Sequence, residues 1–186
     1  MVKPVKKSQK SRGEETVSEA ATLDLNDRRT CLKQKMTEAQ QELIATLQAL
    51  TPAQMDLPTR NEGWSVRHVA AHICGAESGM QPILERILNR EPNQRESSAS
   101  LDLSRYNNSM IKRRIEKTIP MLIEGLEADR AQSLQTLDQL SEEDLELPGY
   151  HPAAGEITLY GLYVVFYRHQ RIHTEDIQLA IAAKPN

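Results

Sequence analysis

The chain has 186 residues, enough for one domain with a single buried core and too few for two full ones. Its 39% apolar and 26% charged residues describe a globular protein on the polar side, and only seven aromatic rings argue against aromatic-rich repeats such as propellers. Net charge is −3; the first twenty residues hold five bases (Lys3, Lys6, Lys7, Lys10, Arg12) against three acids, so the remainder carries about −5, the wrong sign for a nucleic-acid binder.

Residues 1–20 lack apolar periodicity and read as a disordered basic tail, which leaves residues 21–186 as the domain. The tail has no apolar stretch typical of a secretion signal, and runs such as Leu162 to Phe166 are far too short to span a membrane. Cys31 and Cys74 are too few and too far apart to frame a disulfide scaffold, which fits a reducing compartment. These features predict a soluble cytoplasmic protein with neither membrane nor nucleic-acid partner.

In chain order, Asp24 to Asp27 offers capping side chains. Leu32, Met36, Ala39, Leu43, Ala45, Leu47 and Leu50 then recur at roughly helical spacing, predicting a helix over about 26–49 that stops at Thr51-Pro52. Ser65 is a good N-cap for a second helix whose stripe of Val66, Val69, Ile73, Ala76, Met80, Ile83 and Ile87 ends near Asn89. Arg90 to Ser100 reads as a loop long enough for a crossover. Asp102 to Lys117 is helical in pattern, and Thr118-Ile119-Pro120 supplies a fresh cap, so the third helix is expected to break near Pro120 and continue to about Leu140. Ser141 to Asp144 resembles a short capped turn, and Pro148 to Gly155 reads as a loop. A last helix begins after Thr158, with the stripe Leu159, Leu162, Phe166, His169, His173, Ile177 and Ala180. No strand alternation is evident. The expected fold is all-α, a four-helix bundle in up-down order with a long crossover.

Two inward positions of the last stripe are histidines at i and i+4, His169 and His173, which puts both rings on one face. Two imidazoles so placed can converge on one divalent ion; they can equally be core histidines bonded to their neighbours. The second helix carries another such pair, His68 and His72, both on the flank of its buried face. Periodicity favours His72 only slightly.

Gly63-Trp64-Ser65-Val66-Arg67-His68-Val69-Ala70-Ala71-His72-Ile73 resembles the helix-two signature of the DinB/YfiT-like metalloenzymes, and Arg168 to Ile177 is similar to that family's closing H-x-x-x-H helix. Tyr106-Asn107-Asn108 with the basic run after it resembles the family's linker before its third helix, and the likeness covers about residues 25–183. It implies a four-helix bundle in which His72, His169 and His173 hold one divalent ion (Zn, Ni, Fe or Mn), with His68, at a place usually acidic in the family, outside the ligand set. Three neutral imidazoles would leave the ion its full charge and open positions for water or substrate. The resemblance further implies a metal-dependent enzyme acting on a small molecule, either a transferase of the detoxification type using a low-molecular-weight thiol as co-substrate, or a hydrolase. A non-catalytic, stress-associated metal-binding protein and a purely structural bundle are the alternatives. No catalytic side chain beyond the metal ligands stands out.

The remaining residues have plainer readings. Trp64 suits a hydrophobic staple at the start of helix two, with a site-lining role as the alternative. Tyr160, Tyr163, Phe166 and Tyr167 cluster within eight residues, as packing against helix one or against a partner in a homodimer would explain; Tyr163 is nearest the histidine stripe and within reach of a pocket. His151 precedes the last helix and either approaches the open side of the bundle or lies on the surface. Glu175 and Asp176 are either supports for a ligand imidazole or ordinary exposed carboxylates. Cys74 reads as core filler.

Overall fold

A computed structural model describes residues 12–92, 94–95 and 101–183, with side chains from Arg28 onward. The tail expected at 1–20 therefore lies outside the described residues as far as position 11. The helices are α1 (Arg12–Gln48), α2 (Val66–Leu88), α3 (Leu103–Lys112), α4 (Ile119–Gln139), the single turn α5 (Glu142–Leu145) and α6 (Leu159–Ala182). A 3₁₀ turn (Pro52–Asp56) follows α1. Strands β1 (Pro148–His151) and β2 (Gly155–Thr158) form an antiparallel hairpin before α6.

Three boundaries differ from expectation. Helix α1 starts at Arg12 rather than near 26, because residues 14–25 contain no proline or glycine and are rich in good helix formers. Helix α3 ends at Lys112, five residues early, where Arg114 turns back to bond the Met110 carbonyl at 3.4 Å and the Ser78 hydroxyl at 3.4 Å. The loop expected at 148–155 is mostly hairpin; two four-residue strands are too short to show alternation. The caps of the long helices follow the sequence: Thr118 accepts from the Met121 N–H at 3.5 Å and Thr158 from the Gly161 N–H at 3.1 Å.

Leu32, Met36, Ala39, Leu43 and Leu47 of α1 are buried, whereas Ala45 is exposed, two residues off the seam. The apolar core falls into two clusters along the bundle. One holds Leu32, Met36, Met80, Ile83, Leu137, Leu162 and Phe166; the other holds Leu43, Leu47, Val66, Ile73, Leu122, Leu126 and Ile177. Helices α1 and α6 meet the first cluster before the second, and α2 and α4 the reverse. Neighbouring side chains agree. Arg171 bonds Glu38, and Gln178 bonds Glu42 and Thr46, so contacts advance along both helices together and α1 and α6 are parallel. Arg130 bonds Glu77 and Gln81 bonds Ser133, which makes α2 and α4 parallel as well. Two parallel neighbours need a long connection, supplied here by residues 89–118 with α3 inside them.

Between the two apolar clusters lies a polar layer. Glu77, Arg130, Ser133, Gln170 and Thr174 are all at most 3% exposed, and His72 and His173 are 7% and 9% exposed beside them. Burying so many polar groups in mid-bundle costs stability unless they are paired or serve a site. None of the described helices is long and apolar enough to cross a membrane.

Candidate metal centre

The turn before α2 sets the first part of the site. The Thr59 N–H donates to the Trp64 carbonyl and the Trp64 N–H to the Asn61 carbonyl, both at 2.9 Å, around Gly63 at φ +76°, a left-handed conformation that glycine adopts without strain. Ser65 then caps α2. Its N–H donates to Nδ1 of His68 at 3.3 Å, and its hydroxyl lies 2.9 Å from the same nitrogen. His68 thus fills the N3 place of a capping box and is committed to the helix end. That spacing, S-x-x-H, was the local signal that separates the two helix-two histidines.

His72, one turn further, points into the bundle and meets His169 and His173 from α6. The Nε2 atoms of His72 and His169 are 3.3 Å apart, and those of His169 and His173 are 3.0 Å apart. All three donor atoms lie within 4.8 Å of one another. Burial, and then the neighbouring imidazole of His173, lowers the pKa of His72 to about 4; burial and the other two rings lower that of His169 to about 3. His173 is lowered by burial too, against the pull of Asp176. At neutral pH the three rings are uncharged, the form that ligates metal.

Asp176 fixes the tautomer of His173. Its carboxylate is 1% exposed, lies 2.8 Å from Nδ1 of His173, and accepts from Asn61 Nδ2 at 2.9 Å and from Nε of Arg60. Burial raises the Asp176 pKa, but the bonds from Asn61, His173 and Arg60 outweigh that and leave it lowered. An ionised carboxylate only accepts, so Nδ1 of His173 carries the proton and Nε2 presents a lone pair. His169 Nε2 faces that lone pair and His72 Nε2 together. One proton on His169 would satisfy only one of them, whereas a central cation accepts all three. Nitrogens about 2.0–2.1 Å from a tetrahedral ion lie roughly 3.4 Å apart, close to the spacing seen, so the donor set fits a divalent ion. Glu175 is exposed and pairs with Arg60 at 3.0 Å.

The Trp64 ring lies against the second apolar cluster, as a staple should, and also over the histidines, with centroids 5.0 Å from His72 and 6.4 Å from His173. On the other side, His72 and His169 line a cavity of about 700 Å³ that Trp64 and Tyr163 do not line. Tyr163 is wholly buried instead, its hydroxyl donating to the Ser133 carbonyl at 3.3 Å, so its expected reach to a pocket is not realised. His151 does line the cavity, from the tip of the hairpin. Tyr160 and Tyr167 face α1, under Arg28 and Lys35. Cys74 is buried, and burial pushes its thiol up to about 12.

The DinB superfamily profile matches residues 35–177, most of the described chain. The chain belongs to the DinB superfamily. Among solved structures it is similar to YfiT from Bacillus subtilis, described as a probable metal-dependent hydrolase with an unusual four-helix bundle topology. That likeness has a TM-score of 0.63 at 19% identity and covers 94% of this chain and 91% of YfiT. The mycothiol-dependent maleylpyruvate isomerase is similar with a TM-score of 0.62 at 16% identity, over 82% of this chain and 60% of the isomerase. A protein from Clostridium difficile 630 has a TM-score of 0.64 at 13% identity, over 84% and 97%. At these identities the likeness concerns the fold. A comparison with curated protein sequences finds no match.

One part of this DinB protein was not legible in its sequence. Arg130 of α4, 2% exposed, donates through Nη2 to Glu77 of α2 at 2.8 Å and to the side-chain oxygen of Gln170 of α6 at 2.7 Å. Gln170 is next to His169. The tie joins the three helices beside the histidines, and its members are 40 and 53 residues apart, beyond the reach of any local pattern.

Proposed function

We propose that His72, His169 and His173 hold one divalent ion and that the protein is a metal-dependent enzyme acting on a small molecule. Its reaction on this reading is thiol transfer of the detoxification type, with a low-molecular-weight thiol as co-substrate. The observation that carries the reading is the convergence of three uncharged Nε2 atoms, two of them on rings that line a cavity of about 700 Å³, a volume suited to a small molecule. Bound there, the ion would act as a Lewis acid that lowers the pKa of a thiol or of water. Asp176 holds the His173 tautomer, Trp64 covers the rings on the side away from the cavity, and the apolar walls exclude water.

The isomerase named above uses a thiol, which supports the thiol reading; YfiT's description supports hydrolysis as the second. A cytoplasmic location and a homodimer complete the proposal. The test is an activity screen offering several low-molecular-weight thiols with an aromatic electrophile to zinc-, nickel-, iron- and manganese-loaded, metal-free and His169→Ala protein. Thiol consumption that requires both a loaded ion and His169 is expected. Equal rates in all samples would favour the non-catalytic, stress-associated metal-binding reading, and less than about a tenth of an equivalent of ion after reconstitution would leave only a structural bundle.

A further inference from the structure

The cavity beside the histidines has a composition that selects its occupant. On α2 the turns just past His72 carry small residues, Gly75, Ala76 and Gly79, before Met80 and Ile83 continue the wall; the space beside Gly75 is taken by the Arg114 guanidinium. Gly79 is held to that size, since a Cβ there would stand 2.9 Å from the Tyr106 hydroxyl, which donates to the Gly79 carbonyl at 3.0 Å. Val164 and Val165 of α6 form part of the opposite wall. Among the described lining residues there is no carboxylate, but there are two arginines, Arg86 and Arg168. The Nε of Arg86 is bonded to the Pro82 carbonyl of its own helix at 3.1 Å, and its position, fourteen residues along α2 from His72, is roughly 20 Å away. Arg168 is next to His169, is exposed, and has no ion pair or hydrogen bond with a described residue.

His151 adds a donor of fixed sense. Its Nδ1 accepts the N–H groups of Ala153 at 3.2 Å and Ala154 at 3.1 Å, so in the neutral ring the hydrogen is on Nε2. Burial lowers the His151 pKa and keeps that form at neutral pH. His151 stands near enough to His169 for charge on one ring to be felt by the other. A guanidinium and a neutral N–H donor, at the histidine end of an apolar trough without acids, form a receptor for one carboxylate. A cation would be repelled by both arginines, and a neutral molecule would leave Arg168 unused.

We propose that the cavity takes an amphipathic monoanion, an apolar body ending in a carboxylate, and that Arg168 and the Nε2–H of His151 hold that carboxylate. The proposal deepens the enzyme reading by naming a substrate class, and rests on it only for calling the ligand a substrate.

Titration calorimetry near neutral pH tests it with three probes of one skeleton, 4-phenylbutyrate, 4-phenylbutanamide and 4-phenylbutylamine, on metal-free and zinc-loaded protein. The carboxylate is expected to bind about tenfold more tightly than the amide in both forms, and the amine most weakly. Arg168→Gln should bring carboxylate and amide to within about twofold, with amide affinity and melting temperature unchanged. His151→Asn places an acceptor where Nδ1 was, preserves the hairpin turn, leaves its amide N–H short of the place Nε2–H occupied, and should lower carboxylate affinity alone. Equal binding of acid and amide, binding of none of the probes, or loss of the preference in Arg86→Gln but not in Arg168→Gln would overturn the assignment. A preference seen only with zinc would also overturn it, since the ion would then be the receptor, and would leave the enzyme reading standing. Failure to load any metal with the preference intact would sink the enzyme reading instead.

Discussion

Asp176→Asn isolates what the buried carboxylate does for the metal centre. The side chain keeps its size, so packing against Asn61 and Arg60 changes little, but the negative acceptor that holds Nδ1–H of His173 becomes neutral. The asparagine oxygen cannot satisfy His173, Asn61 and Arg60 as the two carboxylate oxygens do, and its amide offers a donor where donors already point. Removing such a support weakens metal binding by about 10- to 100-fold, which is roughly 1.4–2.8 kcal/mol. A competition titration of zinc against a chromophoric chelator measures this directly. The melting temperature of the metal-free variant separates it from general damage. Zinc affinity within about twofold of the parent, in a folded variant, would refute the role given to Asp176.

Alanine at His72, His169 or His173 should each remove most of the zinc affinity in that titration. His68→Ala should leave zinc affinity intact and lower stability by about 0.5–1 kcal/mol in urea unfolding, as loss of a cap does. The metal-free protein should be acid-sensitive, because His72 at about 4 and His169 at about 3 lie below the 6.5 of a free imidazole. The unfolded chain then binds more protons, so this stability is complete above about pH 6.5 and falls as pH drops toward 4, by about 1.4 kcal/mol per unit for each group. Urea midpoints that do not move over that range would contradict the buried neutral state. Glu77→Gln, which leaves the Arg130 charge buried and unopposed, should cost about 3–5 kcal/mol, a fall in melting temperature on the order of 10 °C.

The stripes of α2 and α6 were readable because each helix buries one continuous face, and the caps at Ser65, Thr118 and Thr158 were readable because capping is local chemistry. The pair His169 and His173 lies within one turn and was equally plain. Asp176 was visible three residues past His173, but its burial depends on Arg60 and Asn61, more than a hundred residues away, so its use could not be read from α6 alone. The DinB-type resemblance named His72 and set His68 aside, and the structure gives the physical reason, the bond from the Ser65 N–H to Nδ1 of His68. The hairpin escaped because each strand has a single partner and only four residues, and Tyr163 was misplaced because spacing gives a face of the helix and not which neighbour fills it.

The Arg130 tie has a consequence for how two helices share one ion. A slip of one turn, about 5.4 Å, between α2 and α6 would exchange one set of apolar contacts for another of the same kind and would carry His72 away from His169. Arg130 makes slippage expensive, since it would strand a guanidinium between Glu77 of α2 and Gln170 of α6. It works as a dowel through three rods, setting their longitudinal alignment rather than their adhesion. A Glu77→Leu/Arg130→Met pair, which restores an apolar interior, is therefore expected to keep the melting temperature and lose zinc affinity. Unchanged zinc titrations in that folded pair would show that the apolar clusters align the helices unaided.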